Sequence, residues 1–191
     1  MGELVLIRHG ETEWSLDGRH TGNSDIPLTE VGRRQAESLR SALQSRRFER
    51  VVSSPRQRSL DTCRLAGLGD RAEVMDDLAE WDYGEYDGIT SRQIRESRPD
   101  WVLWRDGCPG GESPAEVGAR ADRVLAELGG SEGDVAVFSH GHFLRVLAAR
   151  WVDLETAAGA KLALDVATLS VLGFEHEVDR VIAAWNAPIG G

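Results

Sequence analysis

Cysteine is scarce. Cys63 and Cys108 are the only two in 191 residues, far apart and without CxxC spacing, so neither a disulfide framework nor a zinc ribbon is expected and a reducing cytoplasm is the simplest compartment. Positive charge is outweighed, with 22 Lys and Arg against 32 Asp and Glu and a net charge of -10. A field of that sign repels DNA, RNA and anionic membranes, which argues against nucleic acid or a membrane as partner; an anionic substrate then requires a local concentration of arginine. No apolar run approaches the length that crosses a bilayer. The first apolar run begins at Leu4, without the basic region and cleavage site of a signal peptide. Internal repeats, low-complexity segments and linkers are missing too. At 41% hydrophobic and 28% charged, the chain is expected to form one domain over residues 1–191 with a core that needs no disulfide or metal.

What is there alternates strand with helix. Leu4 to Ile7, Arg50 to Ser53 and Asp134 to Phe138 are short apolar runs rich in β-branched residues, the pattern of strands covered on both faces. Ser54-Pro55 and Ser113-Pro114 each place a capping serine before proline, with Glu116 completing the second capping box. Thr90 with Gln93 forms another box, with Pro99 as terminator. Val117, Ala121, Val124, Leu125 and Leu128 form one apolar stripe over 114–128, ended by Gly129-Gly130. A weaker stripe, Val31, Leu39, Ala42 and Leu43, follows Thr29. The tail, Ala167 to Phe174 and Arg180 to Trp185, reads as a strand pair. The whole predicts a three-layer α/β/α fold with a mostly parallel sheet.

Ligands of such sheets bind at the carboxyl ends of the strands. Here those ends read Arg8-His9-Gly10, then Ser53-Ser54 with Arg56 and Arg58 following, then Ser139-His140-Gly141-His142. Arginine forks match phosphate oxygens and histidine can act as a covalent nucleophile, so the pattern points to phosphoryl chemistry with a carboxyl group still needed to protonate the leaving alcohol.

Four blocks, LIRHGETEW, SSPRQRSLDT, LAEWDYGEYDG and VFSHGHFLR, resemble in this order the signature of the histidine phosphatase superfamily, whose fold is phosphoglycerate-mutase-like. The resemblance implies that His9 is the nucleophile flanked by Arg8, that Arg58 and His140 bind phosphate, and that Glu80 is the proton donor. Arg56 does not align and is expected to be exposed. Thr21 and Gly22 stand where the family often offers a hydroxyl and a backbone amide. Ser15 replaces a frequent asparagine, and His142 replaces the asparagine of many mutases; with Tyr83 and Gly141 these are candidates for substrate contact. Residues 81–113 are expected to form a short cap. The segments WVLWRDGCPGGES, GRHTGNSDIPLT and EWDYGEYDGIT are similar to actinobacterial-type acid phosphatases and fungal sedoheptulose 1,7-bisphosphatases. Within that cap Arg105 either contacts a distal substrate group or pairs with Asp106.

Each sharp assignment has a plainer competitor. His140-Gly141-His142 can be a metal pair, but no further ligand cluster of standard spacing accompanies it, so neither metal nor another cofactor is expected. His20 and His176 default to surface or packing roles. Trp151 and Trp185 read as core, whereas Trp81, Trp101 and Trp104 either shape a pocket or pack. The short cap favours hydrolysis of a small phosphorylated metabolite over phosphoglycerate mutase activity, and a weakly catalytic phospholigand-binding protein is the remaining class. A homodimer stays open as an alternative to a monomer.

Overall fold

Along β1 (Leu4–Arg8) the side chains divide between two cores: Leu4 and Leu6 pack on one side of the sheet, Val5 and Ile7 on the other. That is the period of two expected of a strand covered on both faces. The computed structural model describes residues 1–176 and 178–188. In chain order β1 is followed by α1 (Glu13–Asp17), α2 (Glu30–Gln44), β2 (Phe48–Ser53), α3 (Gln57–Leu65), β3 (Ala72–Val74), α4 (Ser91–Ser97), α5 (Leu103–Asp106), α6 (Pro114–Leu128), β4 (Asp134–Ser139), α7 (Gly141–Trp151), β5 (Leu169–Glu175) and β6 (Asp179–Ala187).

The sheet order is β3-β2-β4-β1-β5-β6. The first four strands are parallel, and β5 and β6 add an antiparallel pair beside β1. Helices α2 and α3 pack with Val5, Ile7 and Phe138 on one face, while α6 and α7 cover Leu4, Leu6 and Val137 on the other. The three-layer, mostly parallel fold is therefore present, with the predicted tail pair as its antiparallel edge.

Local signals explain most element boundaries. Ser113 caps α6 with Glu116 in a reciprocal box and Pro114 in the first turn, and all five stripe residues of that helix are buried. Thr90 and Gln93 form the box that starts α4, which ends at Ser97, two residues before Pro99. Two details differ from expectation. The helix after β2 starts at Gln57 rather than Pro55, and the Ser54 hydroxyl, which accepts from the Arg56 amide at 3.3 Å, also bonds His140 at 2.7 Å. In α2 the buried stripe is Gly32, Ala36, Leu39 and Leu43, and Val31 is exposed.

For the site, register decides. Arg8 pairs with Ser139 and Ser53 with Phe138, so the carboxyl ends of β1, β4 and β2 lie side by side on one edge of the sheet. Among the described residues no helix is long and apolar enough to cross a membrane.

Candidate active site

His9 leaves β1 still bound to β4, its amide donating to the Ser139 carbonyl at 3.1 Å. Its Nδ1 lies 2.7 Å from the Gly10 carbonyl oxygen. A carbonyl only accepts, so the imidazole proton sits on Nδ1 and Nε2 presents its lone pair. The turn is held by contact that only glycine permits: a Cβ on Gly10 would lie 2.4 Å from the Gly32 carbonyl oxygen, and one on Gly32 would lie 2.1 Å from that of Glu11. The first turn of α2 thus packs backbone to backbone on the residues after His9. Thr62 adds a second tie, its hydroxyl accepting from the Gly10 amide and donating to the Arg58 carbonyl.

Around His9 stand cations whose donors are incompletely used. Arg58 is fully buried and donates to the carbonyls of Ser24 and Thr21, both at 2.9 Å. Arg8 donates to the Leu164 carbonyl. The His140 ring stands edge-on to His9, with centroids 5.2 Å apart. Among the described residues, the buried side-chain polar atoms without a partner are Nε of Arg8, Arg56 and Arg58 and Nδ1 of His140. Ser54 Oγ accepts from the Arg56 amide at 3.3 Å; with its own hydrogen directed to His140 Nε2, 2.7 Å away, the His140 proton sits on Nδ1 and all four orphans are N–H donors. An unsatisfied buried donor costs about 1–3 kcal/mol. Those of Arg8, Arg58 and His140 stand around His9 and make a cradle for an oxyanion.

Burial, then the charges of Arg58 and Arg8, push His9 well below the ordinary imidazole range. Burial and the nearby cations do the same to His140. His9 is therefore neutral at physiological pH, as a nucleophilic imidazole must be.

Glu80 sits opposite as the cap of a helix to which it does not belong. Its Oε1 accepts from the amides of Trp81 at 2.9 Å and Phe143 at 2.8 Å, and its Oε2 accepts from that of His142 at 3.0 Å. The N-cap of α7, His140, makes no side-chain cap bond of its own, so a carboxylate meets the positive end of the helix and two of its free N–H groups.

Compared as a whole, the chain matches the Histidine phosphatase superfamily (branch 1) over residues 4–188. The chain belongs to the histidine phosphatase superfamily. It is 50% identical over 182 residues to an acid phosphatase of Mycobacterium tuberculosis, covering 93% of this chain and 89% of that one. It is 38% identical to the sedoheptulose 1,7-bisphosphatase of Saccharomyces cerevisiae, over 78% of this chain and 67% of the other. Among solved structures, the product of an open reading frame of Mycobacterium tuberculosis superposes with a TM-score of 0.93 at 46% identity, covering 99% of both chains. A mycobacterial glucosyl-3-phosphoglycerate phosphatase, solved with VO3, gives 0.85 at 32% identity, covering 98% of this chain and 100% of the other. As a histidine phosphatase with these relatives, the chain is a phosphomonoester-hydrolysing enzyme.

A cavity of about 230 Å³ opens over the histidine phosphatase strand edge. It is lined by the predicted residues Arg8, His9, Ser15, Thr21, Glu80, Tyr83, Gly141 and His142. Ser15 lines it with a hydroxyl already committed to the capping box of α1, accepting from the Thr12 amide and donating to the Thr12 carbonyl. Buried Tyr83 bonds His142 Nδ1 at 2.7 Å. Gly141 backs onto the Arg8 guanidinium, 3.2 Å from where a Cβ would stand.

Three expectations are corrected. The Gly22 amide is not offered to substrate, because it donates to Asp87 Oδ1 at 2.7 Å. With Ser24 it is part of a loop that Asp87 holds so that its carbonyls face Arg58. Arg105 is absent from the cavity: it is exposed and forked onto Asp106 at 2.7 and 2.8 Å. Arg56 is half-buried and tied to Asn23, not exposed.

Gly18, Arg19, His20, Ser91, Arg145 and Leu164 also line the cavity and escaped the sequence reading as site residues. His20 is buried, bonds Ser91 at 3.1 Å and lies 4.6 Å from the Tyr83 ring; burial lowers it to about 4. Arg145 is four residues after Gly141, hence on the same face of α7, and that spacing was the signal available. Trp81 and Trp101 are buried, with their indole N–H groups bonded to the carbonyls of Glu112 and Gly107, so they pack, while Trp104 stands 5.4 Å from His142. Trp151 is core and Trp185 only half-buried. His176 is an exposed turn residue with a φ of 48°.

Proposed function

We propose that the protein hydrolyses small phosphorylated metabolites through a phosphohistidine on His9. His9 Nε2 attacks phosphorus as the bond to the ester oxygen breaks. The Nε groups of Arg8 and Arg58 and Nδ1 of His140 receive the phosphoryl oxygens, so charge is neutralised by donors already in place. Glu80 protonates the departing oxygen. Because Oε1 accepts two N–H bonds and Oε2 one, the proton belongs on Oε2. In the second half Glu80 takes a proton from water as the water oxygen bonds phosphorus and the N–P bond breaks.

The observation that carries this reading is the set of orphaned donors beside a neutral, correctly tautomeric His9. Residues 81–113 act in it as a short cap, bringing Tyr83 and Ser91 over the cavity. Every group named comes from one chain, so no second copy is needed to complete the site. The two buried free cysteines fit a reducing cytoplasm. The mutase and ligand-binding alternatives draw no support from relatives that are themselves phosphatases.

The test is a rapid quench during turnover of p-nitrophenyl phosphate, with and without EDTA, followed by mass spectrometry under alkaline conditions. An acid-labile, alkali-stable phosphate on His9, absent from His9→Ala and indifferent to EDTA, is expected. Phosphate captured on another residue, or a strict need for added metal, refutes the mechanism.

A further inference from the structure

Two arginines that phosphoryl transfer at His9 does not use also line the cavity: Arg19, exposed and paired with Asp17 at 3.2 Å, and Arg145. Arg145 lies four residues along α7 from Gly141, about 6 Å along the helix axis, and lines the same cavity. Its side-on edge is occupied: Nε donates to the Gly159 carbonyl at 3.0 Å and the adjoining Nη2 to that of Ala160 at 3.2 Å. Its guanidinium sits 4.7 Å over the Trp104 ring, and that ring is wedged against Gly159. The group is thus fixed in place with its end-on edge, Nη1 and the second hydrogen of Nη2, left over. Among the described residues no carboxylate lies within 4.0 Å of it, although ten other ion pairs of this acidic chain show how readily its arginines find one. A half-buried, immobilised and unpaired arginine with a free fork is the geometry that recognises a carboxylate or phosphate in bidentate fashion.

His142 stands beside it. The buried Tyr83 hydroxyl lies 2.7 Å from His142 Nδ1 and bonds nothing else among the described residues; with the phenol as donor, the imidazole proton stands on Nε2. Among the described residues that nitrogen carries no hydrogen bond, and in this tautomer it is a further donor to the cavity.

We propose that Arg145 and His142 Nε2–H form a second anion subsite, so that preferred substrates carry, besides the ester phosphate, a carboxylate or a second phosphate. This deepens the phosphatase reading of the same cavity and rests on it. The competing role for Arg145 is purely structural, as a clamp joining α7 to the turn at Gly159.

The experiment compares kcat/KM within two matched pairs: 3-phosphoglycerate against glycerol 3-phosphate, and fructose 1,6-bisphosphate against fructose 6-phosphate. In the wild type the member with a second anionic group is preferred in at least one pair, and Arg145→Met lowers that preference ratio about 10- to 100-fold, the effect of losing a charge-assisted hydrogen-bonded pair. The pair that moves identifies carboxylate or phosphate as the second group. A structural clamp lowers both members alike, and unmoved ratios in both pairs overturn the proposal. Should Arg145→Met fail to fold, Arg145→Lys keeps the stem and the charge but not the fork, and must by itself lower the ratio. Calorimetric binding of 3-phosphoglycerate and fructose 1,6-bisphosphate to His9→Ala, with and without Arg145→Met, reads the subsite without turnover. Loss of affinity there supports the subsite even if no phosphohistidine forms, and equal affinity overturns it even if one does.

Discussion

Replacing Glu80 by glutamine separates proton donation from helix capping, because the carboxylate that caps α7 is also the proposed proton donor. The glutamine oxygen can take the place of Oε1 and keep the amides of Trp81 and Phe143, but its NH2 group then faces the His142 N–H, where Oε2 accepted at 3.0 Å. One hydrogen bond is lost and two donors are opposed, at a cost of about 1–3 kcal/mol, with a further fraction of a kcal/mol from the uncompensated helix dipole. For a domain of this size each kcal/mol lowers Tm by about 2–4 °C, so Glu80→Gln melts several degrees lower yet stays folded at 25 °C. The chemical effect is larger and depends on the leaving group. A sugar alkoxide leaves badly without a proton, and loss of general acid catalysis costs about 100- to 10,000-fold in phosphoryl transfer; p-nitrophenolate needs little protonation and suffers far less. Single-turnover quench flow isolates that first step from later attack by water. Equal losses for both leaving groups, in a variant shown by circular dichroism to be folded, refute the donor role and leave Glu80 as a cap that positions α7.

Two other consequences are measurable. Gly32→Ala is favoured by helix propensity by about 1 kcal/mol, but its Cβ would overlap the Glu11 backbone at 2.1 Å; thermal melting should show a net loss of about 1–3 kcal/mol together with reduced kcat, and an unchanged or raised Tm refutes the packing argument. His20 is lowered by burial from 6.5 to about 4, so the unfolded chain takes up its proton first as pH falls, and the stability of the native state drops between pH 6.5 and about 4 by about 3 kcal/mol. His20→Phe should flatten that slope in urea titrations at pH 7.5 and 4.5, and identical slopes in both proteins contradict it.

Much of this was legible in the chain itself. Alternating apolar runs and capping boxes are local chemistry, so β1, β4, α4 and α6 appear close to their observed positions. The family blocks likewise marked His9, Arg8, Arg58, His140 and Glu80, which the fold brings to one strand edge or the cavity above it. What the sequence could not determine is which bonds each group had already spent. The Gly22 amide is consumed by Asp87, 65 residues on, and the Ser54 hydroxyl by His140, 86 residues on. Arg105 was drawn to its neighbour Asp106, whereas Arg145 met only carbonyls and an aromatic face. Residue types and their local periodicity specify what a segment can do; only the packed structure, by pairing some donors and stranding others, decides which of them remain free to bind a substrate.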